Sequence, residues 1–159
     1  MMKIAIGNDH VGIELKPTII DFLKSRNIDI LDCGTEIADR TDYPIYAQKV
    51  AHLVARREVD LGIVICGTGI GISIAANKVD GIRCACCSEP YSAKLSREHN
   101  DSNMLALGSR VVGKELATMI VKEWIDARYE GGRHQRRLDQ LKDLEAGLLL
   151  DEDNRINKK

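Results

Sequence analysis

Short apolar runs alternate along this chain with longer segments of helical periodicity. No other feature constrains the fold as strongly, because parallel strands need a crossover, usually a helix, to bring the chain back to the same edge of a sheet. Five runs read as strands: Lys3 to Gly7, Asp29 to Cys33, Leu61 to Cys66, Ile82 to Cys87 and Met104 to Leu107. Several are apolar on both alternating faces, as strands buried between two helical layers must be. About Val11 to Ser25, Tyr43 to Arg56, Ile70 to Asn77, Pro90 to Arg97 and Gly113 to Ala127 read as the crossover helices, the first expected to start late or kink at Pro17. The expected class is therefore α/β, a parallel sheet with helices on both faces.

With 159 residues, the chain has room for one core, and a single domain over 1–149 is expected. Lys and Arg number 23 against 24 acidic residues, so overall charge gives no reason to expect nucleic acid or a membrane surface as partner. The start, Met1 to Gly7, is too short an apolar run for a signal peptide, and no stretch reaches the length of a membrane span, which points to the cytoplasm. The odd count of five cysteines, Cys33, Cys66, Cys84, Cys86 and Cys87, reads as reduced thiols. A last helix is expected over about His134 to Leu149 after Gly131-Gly132, with Leu138, Leu141, Leu144 and Leu148 on one face. That stripe must pack on something, a second subunit being favoured over the chain's own domain, while a polar tail is expected over 150–159.

In open parallel sheets ligands bind outside the carboxyl ends of the strands. Asn8-Asp9-His10 follows the first strand, and Cys66-Gly67-Thr68-Gly69-Ile70-Gly71 ends the third and opens a helix. Alternate glycines there let N–H groups turn toward a developing anion, although a tight strand-to-helix turn has the same look. The third glycine of a dinucleotide fingerprint is missing, since Ile72 stands in its place, and no P-loop Lys-Ser/Thr follows. Cys66 sits where a helix N-terminus would favour its thiolate, whereas a cysteine at a strand end is more often inert core. Cys33, Cys84, Cys86 and Cys87 read as core, and no His/Cys spacing suits a metal. His10 and His99, both following element ends, stand beside Asp9 and Asn100 like acid/base and hydroxyl-binding groups. Arg133, Arg136 and Arg137 form a basic cluster, with Arg133 and Arg137 one helical turn apart; the geometry suits phosphate and is equally that of a solvated charged face.

Taken in order, Asn8-Asp9-His10-Val11-Gly12, Arg40-Thr41-Asp42-Tyr43-Pro44, the run Cys66 to Lys78, Ser88-Glu89-Pro90-Tyr91-Ser92-Ala93, Arg97-Glu98-His99-Asn100-Asp101 and Gly131-Gly132-Arg133-His134 closely resemble the type B ribose-5-phosphate isomerases, from Met2 to about Glu145. The resemblance implies a Rossmann-like five-stranded parallel αβα sandwich, at least a homodimer and possible tetramer, an active site shared between subunits, and no cofactor or metal. It implies Cys66 as the base, because the position where other members carry a glutamate is not acidic here (Ser73, Ile74, Ala75), and His99 as the ring-opening acid. It also implies substrate contacts from Asp9, His10, Gly67, Thr68, Gly69, Ile70, Gly71, Asn100, Arg110, Arg133 and Arg137, with the helix 133–149 at the dimer interface. The reaction implied is the aldose–ketose interconversion of ribose 5-phosphate and ribulose 5-phosphate in the non-oxidative pentose phosphate pathway. Its rivals are an isomerase of allose 6-phosphate or galactose 6-phosphate and a non-catalytic sugar-phosphate-binding module on the same sheet.

Overall fold

A computed structural model describes residues 1–151. Its backbone divides into two compact units, Met1–Tyr129 and a second that begins at Glu130. Of the polar tail expected over 150–159, residues 152–159 lie outside the described residues.

The first unit runs β1 (Lys3–Asn8), a 3₁₀ turn (Gly12–Glu14), α1 (Lys16–Ser25), β2 (Asp29–Asp32), α2 (Tyr43–Ala55), β3 (Leu61–Cys66), α3 (Ile70–Ala76), β4 (Cys84–Cys86), α4 (Pro90–Asn100), β5 (Met104–Gly108) and α5 (Lys114–Asp126). All strand pairs are parallel, in the order β2-β1-β3-β5-β4. The five-stranded α/β class read from the sequence is the one found. Pro17 falls in the first turn of α1, where its missing N–H costs nothing, so the helix starts at Lys16 rather than Val11.

Alternation along the strands sorts side chains into two cores. Ile4 and Ile6, Ile63 and Ile65, and Leu105 and Leu107 pack with Ile19 and Leu23 of α1 and Ile120 and Trp124 of α5. The opposite face carries Ala5, Val64 and Ala106 under Ala47, Val50 and Ala51 of α2 and Ile72 of α3. Small residues let α2 approach closely, and a Cβ at Gly62 would stand 2.6 Å from Val50. Burying one side chain such as Ile63 or Leu105 contributes roughly 1.5–3 kcal/mol, so the central strands β1, β3 and β5 form the rigid base of the unit.

The edge of the sheet differs from expectation. β4 was read as Ile82 to Cys87, with Cys84, Cys86 and Cys87 in the core, yet it spans three residues, Cys84 is only partly buried and Cys86 is exposed. As an edge strand, β4 has a neighbour on one side only, so alternation there no longer guarantees cover. Cys33, also read as core, is partly exposed just beyond the opposite edge strand, β2.

In the second unit a 3₁₀ turn (Gly132–His134) leads into α6 (Gln135–Glu145). The helix stops four residues short of Leu149 because Gly147 adopts φ 78° and closes it, with Gly147 N donating to Leu144 O and Leu148 N to Asp143 O. Along the leucine stripe Leu138 is buried, while Leu141, Leu144 and Leu148 are each about half exposed. No helix among the described residues is long and apolar enough to cross a membrane.

Candidate active site

From β1 the chain passes first to β2 on one side, then to β3 on the other, so the topological switch lies between β1 and β3. The sequence-predicted segments Asn8-Asp9-His10 and Cys66 to Gly71 leave the sheet here, at the carboxyl ends of adjacent strands. Asp9 is buried, its N–H donates to Ile65 O at 3.2 Å, and its Oδ1 accepts from Val11 N (2.9 Å) and Gly12 N (3.0 Å). The carboxylate is thereby held in one orientation, its Oδ2 left for another donor. His10 N donates to Thr41 Oγ1 and Thr41 N to His10 Nδ1, at 3.0 and 3.1 Å. Because Nδ1 accepts a backbone N–H, the neutral ring carries its proton on Nε2, which can donate to a ligand oxygen.

Cys66, 5% exposed, ends β3 and accepts a hydrogen bond from Gly69 N at 3.2 Å. That N–H reaches back to the sulfur because Gly69 adopts φ 79°, a conformation unfavourable for residues with a Cβ. Thr68 Oγ1 accepts from Ile70 N at 3.2 Å, which frees the hydroxyl proton for a ligand. With Gly69 and Ile70 so engaged, the N–H groups of Thr68 and Gly71 meet no acceptor among the described residues. They are the donors best placed to hold an oxyanion. Ser109 anchors the turn from the β5 side: its N–H donates to Cys66 O at 2.9 Å and its hydroxyl to Val11 O at 2.9 Å. Next to it, Arg110 N donates to Gly67 O, and the Arg110 side chain passes within 3.8 Å of the place a Gly67 Cβ would take.

Three residues at this turn were not singled out from the sequence. Thr41 sets the His10 ring, the Tyr43 ring lies directly over Gly71, and the exposed Cys86 thiol donates to Thr68 O at 3.8 Å. Burial and the nearby Cys66 push the Cys86 thiol up, against a hydrogen bond with Ser73, so it stays protonated near neutral pH. Thr41 and Tyr43 carried a signal in the Arg40 to Pro44 motif. Cys86 carried none, because its relation to Thr68 depends on how an edge strand sits.

His99 and Asn100, expected to follow an element end, occupy the last turn of α4. Asp101 ends that helix in the left-handed region, φ 43°, and Arg83 ties it down through the carbonyls of Asn100 (2.9 Å) and Asp101 (2.8 Å). Beneath it, Trp124 Nε1 donates to Ser102 Oγ, which also pairs with Ser96, each at 2.8 Å. The end of α4 feeds into β5 at Met104, the amino edge of the sheet, while Cys66 pairs with Gly108 at the carboxyl edge. Four strand steps separate these edges, about 13 Å. Within one chain, then, the fold gathers Asp9, His10, Cys66, the Gly67 to Gly71 turn and Arg110, and it does not bring His99 and Asn100 to them.

The second unit contributes a cavity of about 640 Å³ lined by Arg133, Arg136, Arg137 and Gln140. Its spacing of three and four residues puts all four on one helical face. Such a wall of guanidinium groups is suited to the oxygens of a phosphate.

The sequence model of the Ribose/Galactose Isomerase family matches residues 4–141. Over 145 residues the chain is 61% identical to ribose-5-phosphate isomerase B of Escherichia coli, covering 91% of this chain and 97% of that protein. Its structure superimposes on ribose-5-phosphate isomerase B of Clostridium thermocellum with a TM-score of 0.90 at 54% identity, covering 92% of this chain and 99% of that one. The Mycoplasma genitalium ribose-5-phosphate isomerase B, solved with bound ribulose-5-phosphate, gives 0.87 at 41% identity, covering 91% and 97%.

Proposed function

The chain belongs to the Ribose/Galactose Isomerase family, and from that premise we infer that it interconverts ribose 5-phosphate and ribulose 5-phosphate, with Cys66 as the proton-transferring base. The observation that carries this reading is the Cys66 sulfur held by Gly69 N–H at the sheet's switch point, beside the oriented Asp9 carboxylate.

The sugar enters as a closed furanose. His99 passes a proton to the ring oxygen as the bond from carbon 1 to that oxygen breaks and the anomeric hydroxyl gives up its proton to water to become the aldehyde oxygen, while Asp9 orients the opening chain. The Cys66 thiolate then removes the proton from carbon 2, giving an enediolate that spans carbons 1 and 2, and returns it to carbon 1 as the hydroxyl proton moves from O2 to O1. One base serves both carbons because they are adjacent and the intermediate is planar. The N–H groups of Thr68 and Gly71 hold the oxyanion, the Thr68 hydroxyl donates to it, and the Gly67 to Gly71 turn keeps these donors fixed. His10, through Nε2, and Arg110 take up the sugar hydroxyls on the Cys66 side, Asn100 those near His99, and Arg133 and Arg137 the phosphate.

His99 lies at the opposite sheet edge from Cys66, so one chain cannot apply both groups to one sugar without a large rearrangement. This separation supports a homodimer, with tetramers as a further assembly, in which each site draws His99, Asn100 and the arginines from a second copy. The half-exposed Leu141, Leu144 and Leu148 are the natural seat for that contact. Residues 1–149 act as one functional domain in this reading. Five free thiols, one of them the base, fit the reducing cytoplasm.

Thiol titration separates this reading from a non-catalytic binding module. Iodoacetamide is expected to modify Cys66 and abolish turnover, and ribose 5-phosphate to slow both losses together. Full activity after stoichiometric labelling of Cys66, or labelling indifferent to the sugar phosphate, would count against Cys66 as base.

A further inference from the structure

Three guanidinium groups share the wall of the 640 Å³ cavity, although two suffice to clamp a phosphate from two sides. Arg136 is the odd member. It is half-buried while Arg133 and Arg137 are exposed, and it stands four residues before Gln140, the one neutral donor of the same wall. None of the three arginines is paired with a carboxylate among the described residues. Two acids of the segment are engaged elsewhere: Glu130 faces His134 at 3.4 Å, and Asp139 accepts from Gln135 at 3.0 Å. Like charges three and four residues apart on one helix repel, so this face is held in a state that an anion relieves. A solvated charged face would place its arginines outward and would not turn a half-buried one toward a shared cavity.

We propose that Arg136 is a third phosphate-binding residue, forming with Arg133, Arg137 and the Gln140 amide a four-sided cradle for the phosphate dianion of the sugar. The proposal rests on the reading that this cavity takes the substrate's phosphate. A dianion neutralises two of the three charges, and the third guanidinium favours the doubly ionised phosphate over the singly ionised one. Arg136 therefore acts on binding and leaves the proton transfer at carbons 1 and 2 to other groups.

The test compares Arg136→Gln, Arg136→Lys and Arg137→Ala with the parent, reading KM and kcat for ribose 5-phosphate and inhibition by inorganic phosphate. Losing one charge-assisted hydrogen bond should raise KM about tenfold in Arg136→Gln, more than it lowers kcat, and weaken phosphate inhibition by a like factor. Arg136→Lys should recover part of the loss, because charge returns without the planar fork. If Arg137→Ala raises both constants while Arg136→Gln keeps parental values, the proposal is overturned and the phosphate reading stands. If neither variant moves either constant, the cavity is not the phosphate site and both fall. A drop in kcat for Arg136→Gln at unchanged KM and unchanged phosphate inhibition also overturns the proposal.

Discussion

Cys66→Ala is expected to lower kcat by at least about a hundredfold, with KM changed far less, because a positioned base contributes roughly 10² to 10⁴ in rate and little to ground-state binding. Alanine keeps the strand-end backbone, and the side chain it removes is small and already 95% buried, so the fold should survive with a modest loss of stability. What disappears is the sulfur that accepts the Gly69 N–H at 3.2 Å, and among the described residues the one other thiol that hydrogen-bonds to that turn is Cys86. Cys86 is poorly placed to substitute, since its thiol donates to Thr68 O and its burial, the largest cause that pushes the thiol up, persists when Cys66 is removed. Steady-state kinetics with a thermal melt of the variant decides the matter. A folded Cys66→Ala protein with kcat near the parent's would remove the thiol from the mechanism.

The second large effect is expected at a residue with no side chain. A Cβ on Gly108 would stand 2.6 Å from both the carbonyl carbon and oxygen of Thr68 and 2.8 Å from its Cα. All three are backbone atoms, so no rotamer change relieves the clash. β5 cannot yield, because it lies between β3 and β4 with its register set by Gly62↔Met104 through Cys66↔Gly108. The Gly67 to Gly71 turn must therefore move, carrying the Thr68–Gly69 peptide away from the Cys66 sulfur. Gly108→Ala should cost about 1–3 kcal/mol of stability, the usual price of overpacking, and lower the melting temperature by several degrees. Activity should fall at least about tenfold with the oxyanion donors displaced. Differential scanning calorimetry and kinetics on the variant check both, and parental values for both would mean that the turn is not held by β5 as described.

Much of the architecture was legible because buried parallel strands announce themselves. The runs Lys3 to Gly7 and Leu61 to Cys66 have no polar face to confuse the period, and both became central strands. Cys86 was misread for the opposite reason. Alternation assigns a face, but whether that face is covered depends on neighbours, and β4 has a neighbour on one side only. The ends of α4 and α6 slipped because single residues in the left-handed region, Asp101 and Gly147, decide where a helix stops. Within the site, Asp9 and Cys66 could be placed from strand ends, whereas the Thr41 bond to His10 joins residues 31 apart and no local pattern reports it. The separation of His99 from Cys66 was open to reading too, because in a parallel sheet a residue that precedes a strand meets the amino edge and one that ends a strand meets the carboxyl edge.

The most direct test of the account is turnover itself: ribulose 5-phosphate formation from ribose 5-phosphate by the purified protein, in the presence of a chelator, with allose 6-phosphate and galactose 6-phosphate run in parallel. The account predicts pentose turnover that survives the chelator and exceeds turnover of either hexose phosphate. A preference for a hexose phosphate, loss of activity with the chelator, or no turnover of any of the three would contradict it.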